Sequence, residues 1–298
     1  MSSGRRAGTW LPTGAAILVT AALVAGTPVP GRSAADCTIV GTARADVLVG
    51  TDGPDVICGR GGDDVIRGRG GADVILGGMG DDRILGGAGA DDIRGGRGDD
   101  TISGGGGDDT VAGMRGRDRL VGGGGADLLR GGRGDDTISG GDGADRLFGG
   151  PGADLIIGRS GADELDGGAK RDRMRAGSGA DTLRGGRGSD IMYGGTGENV
   201  YWGGSGDDLL NGDDDRDVMH GGRGDDQFDS EGGPDRLFGG PGSDGFLAGS
   251  GDDCIDAAGD GEGDVIFGDA GTDAASTDEL DIVHSVELLE CPEPALAR

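Results

Sequence analysis

Large side chains are scarce in this sequence. Two tryptophans, two tyrosines and five phenylalanines are spread over 298 residues, too few for a core built on aromatic rings. Lysine occurs once, at Lys170, and every other base is arginine. Against 27 bases stand 55 acids, a formal net charge of −28 at pH 7. So acidic a chain lacks the basic stripe that phosphates require, which excludes nucleic acid as a partner. An anionic membrane surface is excluded on the same ground, and a cation is the natural complement. Catalytic signatures are missing as well. There is no H-E-x-x-H and no G-x-S-x-G, and "GRSGAD" at 158–163 is only a repeat turn. Aspartate pairs such as Asp99–Asp100 look like acid/base dyads but recur as turn residues. No catalytic residue is expected, and the chain reads as a non-enzyme.

Long apolar runs are also missing, with one exception. Arg5 and Arg6 precede the apolar stretch "GAAILVTAALVAG" (14–26), and "SAA" (33–35) supplies small residues before Asp36. That is the pattern of a secretory leader over residues 1–35. The stretch is too short and too broken by Gly14, Gly26 and Pro28 to anchor the chain, so no membrane span is expected after processing. The expected location is extracellular. Losing Arg5, Arg6 and Arg32 with the leader would take the net charge from −28 to −31.

Cysteine is limited to Cys37, Cys58, Cys254 and Cys291. An even number in an exported chain suggests disulfides. One pair brackets the first repeats and the other the last, so Cys37–Cys58 and Cys254–Cys291 are expected as staples at the two ends. Zinc is the weaker reading, because there is no C-x-x-C and only His220 and His284 as histidines.

Glycine is abundant, at 74 residues. Without a period it would indicate low complexity, but it is periodic. "GGRGDDTISGG" at 95–105 recurs letter for letter at 131–141. Stepping by nine from Gly41 gives 24 units to residue 256 without insertion or deletion. Position one is glycine in 21 of them and position four in 21. Position six is aspartate in 23, Asn199 being the departure, and position eight is apolar in all 24. Two more units, 259–267 and 268–276, follow Ala257–Ala258. A regularity this strict implies a repeat solenoid.

The unit G-G-x-G-x-D-x-U-x, with U a large apolar residue, resembles that of the RTX (repeats-in-toxin) family of calcium-binding nonapeptides. "GGAGADDIR" (86–94) and "GGRGDDTIS" (95–103) match it throughout. The resemblance implies an all-β, right-handed parallel β-roll with two nonapeptides per coil and calcium between its turns.

The residues make the same case on physical grounds. A triplet such as "DTI" or "RLF" suits a short strand that points one apolar side chain, position eight, inward. The other six residues must reverse the chain, and glycines supply the backbone angles. They also leave carbonyls open, and an aspartate adds carboxylate oxygens, the ligand set that calcium prefers. The expected metal ligands are Asp55, Asp64, Asp73, Asp82, Asp91, Asp100, Asp109, Asp118, Asp127, Asp136, Asp145, Asp154, Asp163, Asp181, Asp190, Asp208, Asp226, Asp235, Asp244 and Asp253. The exact repeats lie 36, 54 and 90 residues apart, all multiples of 18, so two units make one coil. Arg97, Arg115, Arg133, Arg187 and Arg223 occupy position three on alternate units, hence one side.

These readings predict a roll over 36–276 of about 12–13 coils, with 277–298 as a C-terminal cap and tail. At most ~22 calcium ions would fit between stacked turns. Stacked aspartates about 5 Å apart repel by roughly 0.8 kcal/mol per pair even at the dielectric of water. The chain is therefore expected to fold only when calcium is bound.

Three units depart from the pattern. "GGAKRDRMR" (167–175) places Lys170 and Arg171 in the turn, where they should repel a cation. "GGTGENVYW" (194–202) offers Asn199, expected to coordinate weakly, and "GDDDRDVMH" (212–220) trades turn glycines for acids. On the outer face, Trp202, His220 and Phe238 recur every 18 residues and should form a ladder, a possible patch for a surface glycan or protein.

Overall fold

Position eight sets the architecture. In the computed structural model, which describes residues 37–258 and 262–286, this position is buried in every unit from Leu48 to Ala275. The side chains join in one continuous apolar column. Burying each isoleucine or leucine is worth about 1.5–3 kcal/mol, and the column is the only large apolar interior among the described residues. Among the described residues, strands alternate between two sheets of 14 parallel strands each. Partners within a sheet stand one coil apart, as in Ile57↔Ile75 on one face and Ile66↔Ile84 on the other. The fold is thus an all-β parallel β-roll with two nonapeptides per coil, as the 18-residue offsets require. The described residues belong to one compact unit, Asp36–Arg298. The expected leader, 1–35, lies outside the described residues.

The strands are longer than three residues. Val74–Met79 has six, and Gly78↔Gly96 and Met79↔Arg97 are paired as firmly as Ile75↔Ile93. Only positions four to six form the turn. The cause is backbone: position-two glycines such as Gly78 (φ +120°) and Gly96 (φ +128°) bend the strand around the corner and the ladder continues past them. Near the C-terminal end, Arg236–Phe238 and Gly245–Leu247 do shrink to three residues.

Each sheet has 14 strands where 12–13 coils were expected, and both additions are at the ends. Ile39–Val40 pairs with Ile57 and Cys58. Within the expected cap, Ile282–His284 pairs with Val265–Phe267 as a further strand. The Asp264 N–H donates to Asp281 Oδ1 (3.1 Å), repeating the contact of the regular turns. Positions six to nine persist there although the turn glycines are gone. The Cys37–Cys58 disulfide clamps the first strands with a Cα–Cα distance of 6.0 Å. The second expected bridge involves Cys291, which is outside the described residues.

A candidate metal site between stacked turns

Each turn holds three residues, and each is fixed by the coil next to it. The position-four glycine has positive φ, as at Gly98 (+126°) and Gly134 (+136°). A Cβ on Gly134 would run into the Gly116 carbonyl of the preceding coil. Its N–H donates to the position-three carbonyl one coil on, Gly98 to Arg115 at 3.0 Å. At position five, exposed aspartates cap the next coil: Asp99 N–H donates to Asp81 Oδ1 and Arg117 N–H to Asp99 Oδ1, both at 2.8 Å. The Arg117 N–H, with the Arg117 guanidinium 3.0 Å away, holds the Asp99 carboxyl below its ordinary range. This capping role was missed in the sequence, although acids recurring at position five were a signal for it.

Position six carries the site. Its side chain turns inward and accepts, through Oδ1, the N–H of the position-six residue one coil earlier. Asp100 bonds Asp118 Oδ1 at 2.9 Å and Asp118 bonds Asp136 Oδ1 at 2.8 Å. The second oxygen has no such partner. From Asp64 to Asp226, every position-six aspartate has Oδ2 buried without a hydrogen bond. Burial pushes these carboxyls up, the hydrogen bond to Oδ1 pulls them partly back, and neighbouring carboxylates raise them again. Asp100 reaches about 7, Asp172 and Asp226 about 8. An ionised column in this interior is unfavourable unless a cation accompanies it.

Position-one glycine makes room for the free oxygen. A Cβ on Gly185 would lie 2.5 Å from Asp190 Oδ2 and 2.6 Å from the Gly203 carbonyl oxygen one coil on. Carboxylate and carbonyl oxygens thus converge on the space left by the missing side chain, a donor set suited to a hard cation. Among the described residues no three Asp, Glu, His or Cys side chains cluster. An ion held here would therefore draw most of its ligands from backbone carbonyls.

The expected ligands are not all equivalent. Asp55 differs, because its Oδ2 accepts from the Thr51 N–H (2.6 Å) and the Thr51 hydroxyl (3.0 Å). Asp172 and Asp217, omitted from the sequence-based set, present the same buried, unbonded oxygen as the rest. Lys170 and Arg171 have partners of their own, although their charges still act on Asp154 and Asp190, the position-six neighbours of Asp172. Lys170 Nζ lies 3.5 Å from Asp135 and Arg171 Nε donates to the Ser189 carbonyl at 3.0 Å, both on the exposed edge. In 212–220, Asp215 is held by its own N–H to Asp213 Oδ1 (2.9 Å) and by the Gly197 N–H to its Oδ2 (2.8 Å).

At 194–202 protein atoms occupy the corresponding space. Asn199 Oδ1 accepts from Asp181 N–H (3.0 Å) while Nδ2 donates to the Gly195 carbonyl (2.8 Å). Tyr201, fully buried at position eight, reaches the same turn, and its hydroxyl donates to the Asn211 carbonyl (2.9 Å). Asparagine with tyrosine thus satisfies internally what aspartate with a shorter apolar residue leaves open.

On the outer face Trp202, His220 and Phe238 stack as the spacing requires, with centroids 3.9 and 4.5 Å apart and planes within 10°. Burial in this stack lowers the His220 pKa. No helix among the described residues is long and apolar enough to cross a membrane.

The sequence matches the RTX calcium-binding nonapeptide repeat model in eleven overlapping stretches between residues 40 and 255. A solved structure to which the chain is similar is that of a hyperactive, Ca2+-dependent, beta-helical antifreeze protein from an Antarctic bacterium. The identity is 18%, over 83% of this chain and 86% of that one, with a TM-score of 0.49. No curated protein matches the sequence significantly.

Proposed function

The chain belongs to the RTX calcium-binding nonapeptide repeat family, and on that premise we propose that it is an exported, non-catalytic protein that folds by taking up many calcium ions. The observation that carries this reading is the column of buried Oδ2 atoms without hydrogen-bond partners. The ligands are the position-six aspartates expected from the sequence, less Asp55 and with Asp172 and Asp217 added, together with turn carbonyls. Calcium bound there supplies positive charge to a dry interior, so its binding free energy becomes folding free energy. The leader pattern at 1–35 supports export, and a calcium-poor interior would keep the chain unfolded until it leaves the cell. Equilibrium dialysis of the full chain should give on the order of ten or more calcium ions per molecule. Asp100→Asn, Asp118→Asn and Asp136→Asn together, three consecutive positions on one edge, should reduce that number. An unchanged count would remove the aspartates from the site.

The stacked Trp202–His220–Phe238 ladder favours a second reading, an extracellular interaction module whose shape calcium sets. Trp202→Ala with Phe238→Ala should leave calcium uptake intact. Under the second reading it should also abolish binding to a surface glycan or protein.

A further inference from the structure

The net charge conceals a basic surface. On one sheet, Arg97 pairs with Arg115 and Arg115 with Arg133 across adjacent strands, so three arginines stand side by side. All three are exposed, and none makes an ion pair or side-chain hydrogen bond among the described residues. Acids close to them in sequence have other partners: Asp99 with Arg117 (3.0 Å), Asp135 with Lys170 (3.5 Å) and Asp92 with Arg94 (3.1 Å). Like charges on adjacent strands about 4.8 Å apart repel.

Two hollows that share Met114 and Arg115 form a groove beside the row. The floor of one is the glycine pairs Gly131–Gly132 and Gly149–Gly150, where no side chain fills the bend. One wall is the position-three column, Met79, Arg97, Arg115, Arg133 and Pro151. Phe148 stands on the opposite side, with the Arg130 and Arg146 guanidinium carbons 5.4 and 5.7 Å from its ring centroid. Met114 projects from the floor at positive φ and is exposed.

We propose that this groove docks an acidic polysaccharide laid along the roll axis, its anionic groups on the arginine row and its sugar rings against Met114 and Phe148. Charge complementarity selects an anion. The strand step is close to the length of one pyranose residue, so a chain carrying one anion per sugar can bring successive anions to successive arginines. The phosphates of an extended nucleic acid strand are spaced more widely than the strands. The proposal concerns the outer face of a folded roll and does not depend on which ions occupy the turns.

The test is titration of the full chain, in calcium, with chondroitin sulfate oligosaccharides at several salt concentrations. Arg97→Ser, Arg115→Ser and Arg133→Ser together should weaken binding about tenfold or more and flatten its salt dependence. Arg67→Ser, Arg119→Ser and Arg173→Ser remove the same charge from exposed positions on the other sheet and should change it by less than about twofold. Matching circular dichroism of the two triple variants would show that both still fold. No binding by the unaltered chain, or equal weakening in both triples, overturns the proposal. Tighter binding of a single-stranded oligodeoxynucleotide of equal length overturns it too and assigns the groove to nucleic acid.

Discussion

At the scale of single residues, one carboxylate oxygen decides the chemistry. Oδ1 of each position-six aspartate ties two coils together through a backbone N–H, and Oδ2 remains for an ion. Asn199 and Tyr201 show the alternative, an amide and a phenol that close the same space with hydrogen bonds. Asn199→Asp combined with Tyr201→Leu should therefore reopen it. Calcium uptake should rise by about one or two ions per chain, read by equilibrium dialysis. In calcium-free buffer near pH 4.5, where the stripped chain keeps its β structure, amide hydrogen exchange over 194–217 should become faster than in the unaltered chain. If neither changes, the asparagine–tyrosine pair is not a substitute for metal.

At the scale of strand and turn, glycines divide into those the backbone demands and those it tolerates. Gly134 has φ +136° and a carbonyl in the path of any Cβ, whereas Gly124 has ordinary φ and nothing within 4 Å. Gly134→Val should cost at least about 2 kcal/mol, and Gly124→Val less than about 1 kcal/mol. Urea unfolding at one fixed calcium concentration would compare them. Much at this scale was legible in the sequence. The invariant apolar position eight announced the column from Leu48 to Ile266, and the offsets of 18 announced two units per coil. The six-residue strands were not legible, because residues such as Gly77–Gly78–Met79 pair through backbone groups that leave no side-chain pattern. The last coil was hidden because Asp281–Ile282–Val283–His284 keeps positions six to nine after the glycines have gone. The arginine row was visible as a period, but the excess of acid obscured its meaning as a surface.

At the scale of the whole molecule, one apolar column and two aspartate columns, one along each turn edge, run through the interior with opposite tendencies. The apolar column favours folding, and the aspartate columns oppose it unless their charge is neutralised. Protons can neutralise it as well as calcium. With Asp100 raised to about 7 and Asp226 to about 8 from an ordinary 3.8, the calcium-free roll holds more protons than the unfolded chain between those limits. Its stability is therefore fully present below about pH 4 and is lost as pH rises through 7 to 8. The calcium-stripped chain should show β structure near pH 4.5 and lose it near pH 8, followed by far-ultraviolet circular dichroism. The most direct measurement is a calcium titration of that chain at pH 8 by the same signal, with magnesium as control. A cooperative coil-to-β transition that calcium drives and magnesium does not is the expected result. A chain already fully β-structured in chelator would show that the apolar column and the disulfide hold the roll without metal, contradicting the account.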